Sequence, residues 1–211
     1  MQVILKDEII QKLKEVGLKN GDTVMVHTSL GKMGYVCGGA QAVIEALMEV
    51  VGDSGTIMMP TQSWKNLDPE TGVHWEADQK DWQLIRDNWP AYDKNLTPTN
   101  TMGAVAEMFR QVPGSVRSDH PARSVCAWGR YAEYPGKHIC VEHSAVSEAG
   151  KRVWKAYETL FVDGNDFEKI GEDYEKAYVV PGVRIGNALV RLMYQRELVD
   201  FAVKWMETNR A

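Results

Sequence analysis

Four glycines and a histidine occur together near the start of the chain, between an apolar segment and an amphipathic one. Residues 24–52 read VMVHTSLGKMGYVCGGAQAVIEALMEVVG, and the loop within this stretch has glycines at positions 31, 34, 38 and 39. Glycines just before a helix let backbone N–H groups approach a bulky or anionic group closely. The loop therefore suits a phosphate or pyrophosphate; the alternative is a mobile connector that binds nothing.

His27 and two hydroxyl residues, Thr28 and Ser29, directly follow the apolar segment. In open α/β sheets, ligands bind beyond the carboxyl ends of the strands. Because histidine side chains titrate near neutral pH, His27 is a candidate general base; the alternative is a structural histidine that holds the loop. The loop matches neither GxxxxGK[ST] nor GxGxxG, so neither a nucleoside triphosphatase nor an NAD enzyme is indicated.

A second polar cluster, RSDHPARS, contains Arg117, Ser118, His120 and Ser124. His120 could serve an anionic ligand together with Arg117, or it could cap a turn. The spacing of the other histidines is not that of zinc ligands, so no metal is expected. These histidines are His74, His138 and His143. The chain also lacks a GxSxG nucleophile elbow.

Residues 62–100, here called the Trp-rich segment, form a long loop rich in Trp, Asp and Pro. We expect this loop to be ordered, because exposing its four tryptophans would be costly. The tryptophans are Trp64, Trp75, Trp82 and Trp89. They could serve as a small satellite core, or they could help to form an aromatic and acidic wall around a cationic sugar. The residues of such a wall would be Trp64, Asp68, Glu70 and Asp87.

Helical and strand patterns alternate on both sides of this segment. Apolar spacing predicts helices at 6–16, 40–51, 102–114, 166–177 and 187–209, and strands at 23–27, 55–61 and 124–128. Two strand-like fragments, HICVEHSAV and KRVWKAYETL, are separated by Gly150. In the last helix we expect Leu189, Leu192, Val199 and Val203 to face inward. The pattern predicts one α/β domain over residues 1–211, with a mainly parallel central sheet flanked by helices and a long Trp-rich loop.

The composition is that of an ordinary globular protein, with 25% charged and 44% hydrophobic residues among 211. The net charge of −5 and the absence of a basic cluster argue against a nucleic-acid partner. The sequence has no apolar run of membrane-spanning length and no signal peptide, so we expect a cytoplasmic protein without a membrane partner. Three cysteines without CxxC spacing indicate free thiols. They are Cys37, Cys126 and Cys140.

Four blocks of the chain, in order, resemble the aminoglycoside N3-acetyltransferase family. The blocks are residues 24–64, 82–129, 166–177 and 183–206, which together cover most of the chain. The resemblance implies a resistance enzyme that transfers an acetyl group from acetyl-coenzyme A to the 3-amino group of a 2-deoxystreptamine aminoglycoside antibiotic.

The same resemblance assigns roles to individual residues. It implies that the glycine loop and the following helix N-terminus cradle the coenzyme A pyrophosphate. The residues implied to bind coenzyme A are Ser29, Leu30, Tyr35, Val36, Gly38, Gly39, Arg117, Ser118 and Ser124. On the aminoglycoside side the candidates are Trp64, Asp68 and His120, and His27 is the candidate base.

One expected segment of the family is absent. Between CAWGRYAE and YPGKHICVEHSAV, family members carry a Ser-Pro-Leu stretch, a buried strand of the LLLGV type, and an Asn-Thr-Ser-x-His-Leu-x-Glu motif. The histidine of that motif is the family's main candidate base. A missing piece of this size would remove at least one core strand.

The absent segment leaves several alternatives open. Either the segment is deleted, or the molecule contains residues missing from this sequence; an intact mass near 23.8 kDa would indicate deletion. The protein is then an aminoglycoside acetyltransferase that relies on His27, a coenzyme A-binding homologue with impaired catalysis, or an acetyltransferase for another amine.

Overall fold

This computed structural model describes residues 2–129, 141–158 and 166–210, which form a mixture of helices and strands. The helices are α1 (Lys6–Glu15), α2 (Leu30–Met33), α3 (Gly39–Val51), α4 (Trp82–Asn88), α5 (Gly103–Phe109), α6 (Phe167–Ala177) and α7 (Gln195–Asn209). The strands are β1 (Val3–Ile4), β2 (Thr23–Met25), β3 (Tyr35–Val36), β4 (Thr56–Pro60), β5 (Val116–Arg117), β6 (Val125–Gly129), β7 (Val141–Glu148), β8 (Lys151–Glu158), β9 (Gly182–Ile185) and β10 (Ala188–Arg191).

The apolar core lies between α1, α3 and the sheet. Helix α3 buries the face that its spacing predicts, and burial of each large aliphatic side chain contributes about 1.5–3 kcal/mol. That face consists of Ala42, Val43, Ala46, Leu47 and Val50. The prediction for α1 is also confirmed, since Ile9, Ile10 and Leu13 are buried. Phe109 of α5 completes the core and has no exposed surface.

The central sheet has the strand order β2-β4-β6-β5. Strands β2 and β4 are parallel, whereas β4 with β6 and β5 with β6 are antiparallel. The expectation of a mainly parallel sheet is therefore wrong for the described strands. Helix α3 provides the crossover that parallel strands require between β2 and β4, but a short connection joins β5 to β6 and reverses the chain.

The glycine loop is held by two short strand pairs. Strand β1 pairs in parallel with β3, and the Cys37 N–H donates to the Ile4 carbonyl at 2.9 Å. Strands β9 and β10 pair antiparallel, and in the turn between them the Asn187 N–H donates to the Met33 carbonyl at 3.1 Å. A side chain at Gly186 would collide with that same carbonyl and with Ile4. Residues far apart in the sequence thus pack around the loop.

Strands β7 and β8 form an antiparallel hairpin, which confirms the two fragments predicted on either side of Gly150. The turn places Ala149 at φ +49° and Gly150 at φ +76°. Part of the first predicted fragment, residues 138–140, lies outside the described residues.

The end of the chain differs from its prediction. Residues 187–209 are not one helix: strand β10 comes first, and α7 begins only at Gln195. Leu189, Val199 and Val203 are between 44% and 47% exposed, so the expectation that they face inward is wrong. Leu192 does pack against the core. The sequence pattern misleads here because the apolar residues of β10 and those of α7 happen to continue a single helical spacing.

The two described cysteines are free thiols, as expected. Cys37 is exposed, whereas Cys126 is fully buried and burial raises its pKa to about 11. Cys140 lies outside the described residues. Among the described helices, none is long and apolar enough to cross a membrane.

Candidate functional site

The glycine loop ends in two consecutive left-handed residues that begin α3. Gly38 has φ +84° and Gly39 has φ +56°, a region that side chains rarely adopt. A Cβ at Gly39 would meet no atom within 4 Å, so open space lies in front of the first turn. The helix that follows has 13 residues, and its first N–H groups and dipole favour an anion. The chain here fits a phosphate-bearing ligand.

The other loop residues that the resemblance assigns to coenzyme A binding differ in how far their side chains are exposed. The Tyr35 ring is 53% exposed and Ser29 is exposed, so both side chains can meet a ligand. Val36 is buried in the core, and Leu30 packs against the core. These two can contribute only backbone groups or a partial apolar surface.

A pocket of about 130 Å³ lies at the carboxyl ends of the parallel strands β2 and β4. Its lining residues are Val26, His27, Thr28, Pro60, Thr101, Met102 and Ala106. The Val26 N–H donates to the Met58 carbonyl at 2.8 Å, which continues the β2–β4 ladder to the pocket. This is the strand edge at which ligands of open α/β sheets bind.

The His27 imidazole is exposed in this pocket, and it has no hydrogen bond or ion pair within the described part of the chain. No contact that would make His27 a structural residue is therefore present among those residues. No described carboxylate orients the ring either. His27 can accept a proton from a bound group or donate one to it.

Arg117 is the most heavily bonded side chain near this edge. All five of its N–H donors have protein acceptors: Nε donates to Ser124 Oγ, Nη1 to the carbonyls of Lys94 and Thr97, and Nη2 to the Thr61 carbonyl and Ser63 Oγ. The residue is only 5% exposed. Burial lowers the pKa of Arg117, although arginine stays protonated in proteins. In this arrangement Arg117 fixes the Trp-rich segment to β5 and β6, and no donor is left for a ligand.

The two serines of the same cluster are also occupied. Ser124 is fully buried and donates to the Thr61 carbonyl at 2.6 Å. Ser118 Oγ accepts from the Val125 N–H at 3.1 Å, and the Ser118 carbonyl accepts from the Tyr92 hydroxyl. Arg117, Ser118 and Ser124 thus lie together, but each of them is engaged with protein groups.

His120 caps the turn that follows it. Its Nδ1 accepts the N–H groups of Ala122 and Arg123 at 3.2 and 2.9 Å. An accepting Nδ1 requires the neutral tautomer with the proton on Nε2. The ring also contacts Tyr157 of β8 edge-on, with centroids 5.2 Å apart. This geometry corresponds to the turn-capping alternative.

The acidic wall expected in the Trp-rich segment is partly neutralised. Asp68 receives two hydrogen bonds from Arg86, at 2.9 and 2.8 Å, and one from the Glu70 N–H. The Arg86 guanidinium holds the pKa of Asp68 below its usual range. Trp64 stacks under the Arg123 guanidinium at 4.5 Å. Glu70, whose side chain is 70% exposed, and Asp87 present carboxylates to solvent more fully than Asp68 does.

Two residues of this region were missed by sequence reasoning. Asn66 is 1% exposed; its amide donates to the carbonyls of Pro121 and Ala145 and accepts from Trp89 Nε1. Thr101 lines the pocket in a left-handed conformation. No local pattern marks either residue, because their partners are distant in sequence. Among the described residues no cluster of His, Cys, Asp and Glu could hold a metal; His138 lies outside them.

Comparison with known proteins defines the class of this chain. A family model described as aminoglycoside 3-N-acetyltransferase matches residues 25–135 and 130–207. The chain therefore belongs to the aminoglycoside 3-N-acetyltransferase family and is an acyltransferase.

Individual relatives match nearly the whole chain. The SPbeta prophage-derived aminoglycoside N(3')-acetyltransferase-like protein YokD of Bacillus subtilis (strain 168) is 34% identical over 252 residues, covering 97% of this chain and 93% of the relative. Its crystal structure superposes with a TM-score of 0.89 at 33% identity, covering 100% of this chain and 96% of that one. Aminoglycoside N(3)-acetyltransferase VII of Streptomyces paromomycinus is 30% identical, covering 97% of this chain and 92% of the relative.

The comparisons also bear on the absent segment. The match to YokD extends over 252 residues, more than the 211 of this chain, so the relative contains residues that have no counterpart here. The family match is divided in two at residues 130–135. Both observations agree with an internal segment absent at the position that the sequence indicates.

Proposed function

We propose that this protein transfers an acetyl group from acetyl-coenzyme A to the 3-amino group of an aminoglycoside. The observation that carries the proposal is the left-handed Gly38–Gly39 start of α3, with open space before it, in a chain of this family. The single-domain reading over residues 1–211 belongs to the same proposal.

In this proposal the first turn of α3 and the exposed part of the glycine loop hold coenzyme A. The N–H groups after Gly39 receive the pyrophosphate, and Ser29 and Tyr35 contact the arm. Acetyl-coenzyme A supplies the acyl group as a thioester. Arg117, Ser118 and Ser124 support this region indirectly, since their donors and acceptors hold the Trp-rich segment in place.

His27 is the proposed base of the reaction. The acceptor amine must lose a proton to attack the thioester carbonyl, and the His27 ring, exposed and uncommitted among the described residues, can take it. The C–N bond forms as the C–S bond breaks, and the protonated His27 can return the proton to the departing coenzyme A sulfur. The pocket of about 130 Å³ accommodates the reacting groups and not a whole aminoglycoside.

We propose that the positively charged amines of the aminoglycoside bind the outer surface of the Trp-rich segment. Glu70, which lies 3.2 Å from Arg86 but is 70% exposed, and Asp87 are the more exposed carboxylates, and Asp68, Trp64 and His120 fix the surface that bears them. Glu70→Gln should therefore raise the Michaelis constant for an aminoglycoside more than Asp68→Asn does, and added salt should reduce both effects. Equal Michaelis constants for the wild type and both variants at low ionic strength would show that this surface does not bind the aminoglycoside.

The cofactor site is tested with a pair of glycine variants. Gly39 and Gly150 both have positive φ, and a Cβ would meet nothing within 4 Å at either. Gly39→Ala and Gly150→Ala should therefore cost similar stability. By calorimetric titration, Gly39→Ala should weaken coenzyme A binding at least tenfold, because the Cβ occupies the anion's space, and Gly150→Ala should leave it unchanged. Equal affinities in the two variants would contradict the assigned site.

The base is tested by His27→Ala. We expect a loss of about a hundredfold or more in turnover with coenzyme A affinity retained, because a general base contributes to rate and not to ground-state binding. A parallel fall in affinity would indicate a role in loop geometry. Full activity of the variant would exclude both roles.

A second candidate is a coenzyme A-binding homologue without transfer activity. The segment that YokD has and this chain lacks favours it, because the resemblance places the family's main candidate base there. Coenzyme A binding without acetylation of aminoglycosides or other amines, in protein whose mass is near 23.8 kDa, would establish this candidate. Transfer to a different amine only would indicate another acceptor class.

A further inference from the structure

Thr101 has an unusual backbone at the pocket that contains His27. Its φ is +62°, and among the described residues only Ala149 shares a positive φ without being glycine. Thr101 is moreover β-branched, and a left-handed conformation is a genuine outlier for such residues. Strain of this kind persists only where surrounding structure imposes it, and it concentrates at functional sites.

The chain is fixed on both sides of Thr101. Before it, the Asn100 N–H donates to the Gln62 carbonyl at 2.8 Å, and Asn100 Oδ1 accepts from the Lys65 N–H at 3.0 Å. After it, α5 begins at Gly103, and Ala106 of that helix is buried and lines the same pocket. The Thr101 hydroxyl donates to the Asn100 carbonyl at 2.6 Å. These contacts hold the branched side chain at the pocket.

The pocket is small enough for the Thr101 side chain to affect how large a group can enter it. A cavity of about 150 Å³ holds a molecule the size of benzene. The pocket here is about 130 Å³ and thus smaller, so each methylene added to an acyl group that entered it would compete with the lining side chains, Thr101 among them, for space. A glycine at position 101 would adopt the same backbone without strain and would leave the pocket wider.

We propose that Thr101 is a specificity-determining residue that restricts the acyl thioester to short chains. This inference rests on the proposed function, because it concerns the acyl group that the same site receives. Glycine would adopt the backbone conformation of position 101 without strain. The threonine found there instead places a branched side chain at the pocket, and the inference gives that side chain a role.

The experiment compares Thr101→Gly, Thr101→Ala and the control Ala149→Gly, which removes the other positive φ in a hairpin turn away from the pocket. Dissociation constants are measured by calorimetry for coenzyme A, acetyl-, propionyl- and butyryl-coenzyme A, and melting temperatures by circular dichroism. Turnover with each thioester is measured at saturating aminoglycoside.

We expect the wild type to bind and use butyryl-coenzyme A about tenfold or more less well than the acetyl thioester, the usual discrimination for added methylenes. Both Thr101 variants should reduce this ratio several-fold. Thr101→Gly and Ala149→Gly should each raise the melting temperature by about 2–4 °C through strain relief, and Ala149→Gly should keep the acyl ratio. Thr101→Ala retains the backbone strain and should not raise the melting temperature.

The outcomes separate the two proposals. If no thioester binds the wild type, the proposed function fails. If the thioesters bind but the acyl ratio is the same in wild type, Thr101→Gly and Thr101→Ala, the inference is wrong and the cofactor assignment stands. A ratio that changes equally in Ala149→Gly would also overturn the inference, since the effect would then come from stability alone.

Discussion

The helix–sheet core and the Trp-rich segment are held together by different forces. In the core, α1 and α3 cover the sheet with aliphatic side chains, and the contacts are non-directional. In the Trp-rich segment, buried polar side chains such as Arg117 and Asn66 join stretches of chain that are far apart in sequence. The hairpin adds to this network, because Arg152 donates to the carbonyls of Arg86 and Asp87.

This difference determines how each region should respond to substitution. A core side chain contributes through area and packing, so truncating it weakens the whole cooperative unit. A buried donor contributes through its specific acceptors, and removing it leaves each of them unpaired in a poorly solvated place. We therefore expect global loss of stability from the core and local opening from the Trp-rich segment.

The largest effect is expected in the core. Phe109→Ala removes a side chain with no exposed surface and should cost about 3–5 kcal/mol of the free energy of unfolding. The neighbouring Met108 is 42% exposed, and Met108→Ala should change the value by less than about 0.5 kcal/mol. Urea unfolding measures both. Similar losses in the two variants would mean that α5 is not anchored by Phe109.

Arg117→Ala should come next, at about 2–4 kcal/mol, because acceptors from three stretches of the chain lose their donor. Arg117→Lys should recover little of this, since an ammonium cannot replace the planar fork. Hydrogen exchange should show faster exchange in the Trp-rich segment than in α3. Lys94→Ala is the control, because it keeps the carbonyl that Arg117 uses. Uniform acceleration along the chain would contradict the local character of this network.

Asp68 tests the network through pH. Because Arg86 lowers the pKa of Asp68 in the folded protein, the ion pair stabilises the fold above the ordinary pKa of an aspartate, and this contribution is lost as the pH falls through the lowered value. Asp68→Asn should cost about 1–2 kcal/mol at pH 7. The difference from wild type should shrink in acid, below pH ~4.

The control for this prediction is Asp78→Asn, because the exposed Asp78 side chain pairs with the equally exposed Lys80. That variant should have little effect on stability at any pH. A difference between wild type and Asp68→Asn that stays constant down to strongly acidic pH would show that the Asp68 charge contributes nothing.

The smallest effect is expected on α7. Val203 is 44% exposed, so Val203→Ser should change the free energy of unfolding by less than about 0.5 kcal/mol. Leu47→Ser in α3 is the matched comparison and should be strongly destabilising, because Leu47 is 4% exposed. A loss above about 1 kcal/mol in Val203→Ser would mean that this face of α7 is covered in solution.

The sequence predicts the helix–sheet core better than the Trp-rich segment, because apolar packing follows a local pattern and specific polar contacts do not. The apolar period of α3 names its buried residues correctly, because a helix buries one stripe whatever it packs against. The orientation of β6 could not be deduced, since it depends on how residues 62–124 return to the sheet. Asp68 and Arg117 were assigned to ligand binding from the sequence, whereas the partners they have in the structure, Arg86 and the Thr61 carbonyl, are selected only by the tertiary fold.

The position of the glycine loop between β1 and the β9–β10 turn has a consequence for biosynthesis. Ile4 and Met33 are made early, but Gly186 and Asn187, which close over the Met33 carbonyl, leave the ribosome only when most of the chain has been made. Domains generally fold as units during synthesis. The nascent chain therefore completes the packing around the glycine loop last, and premature termination before residue 187 yields a product in which one side of that loop has no packing partner.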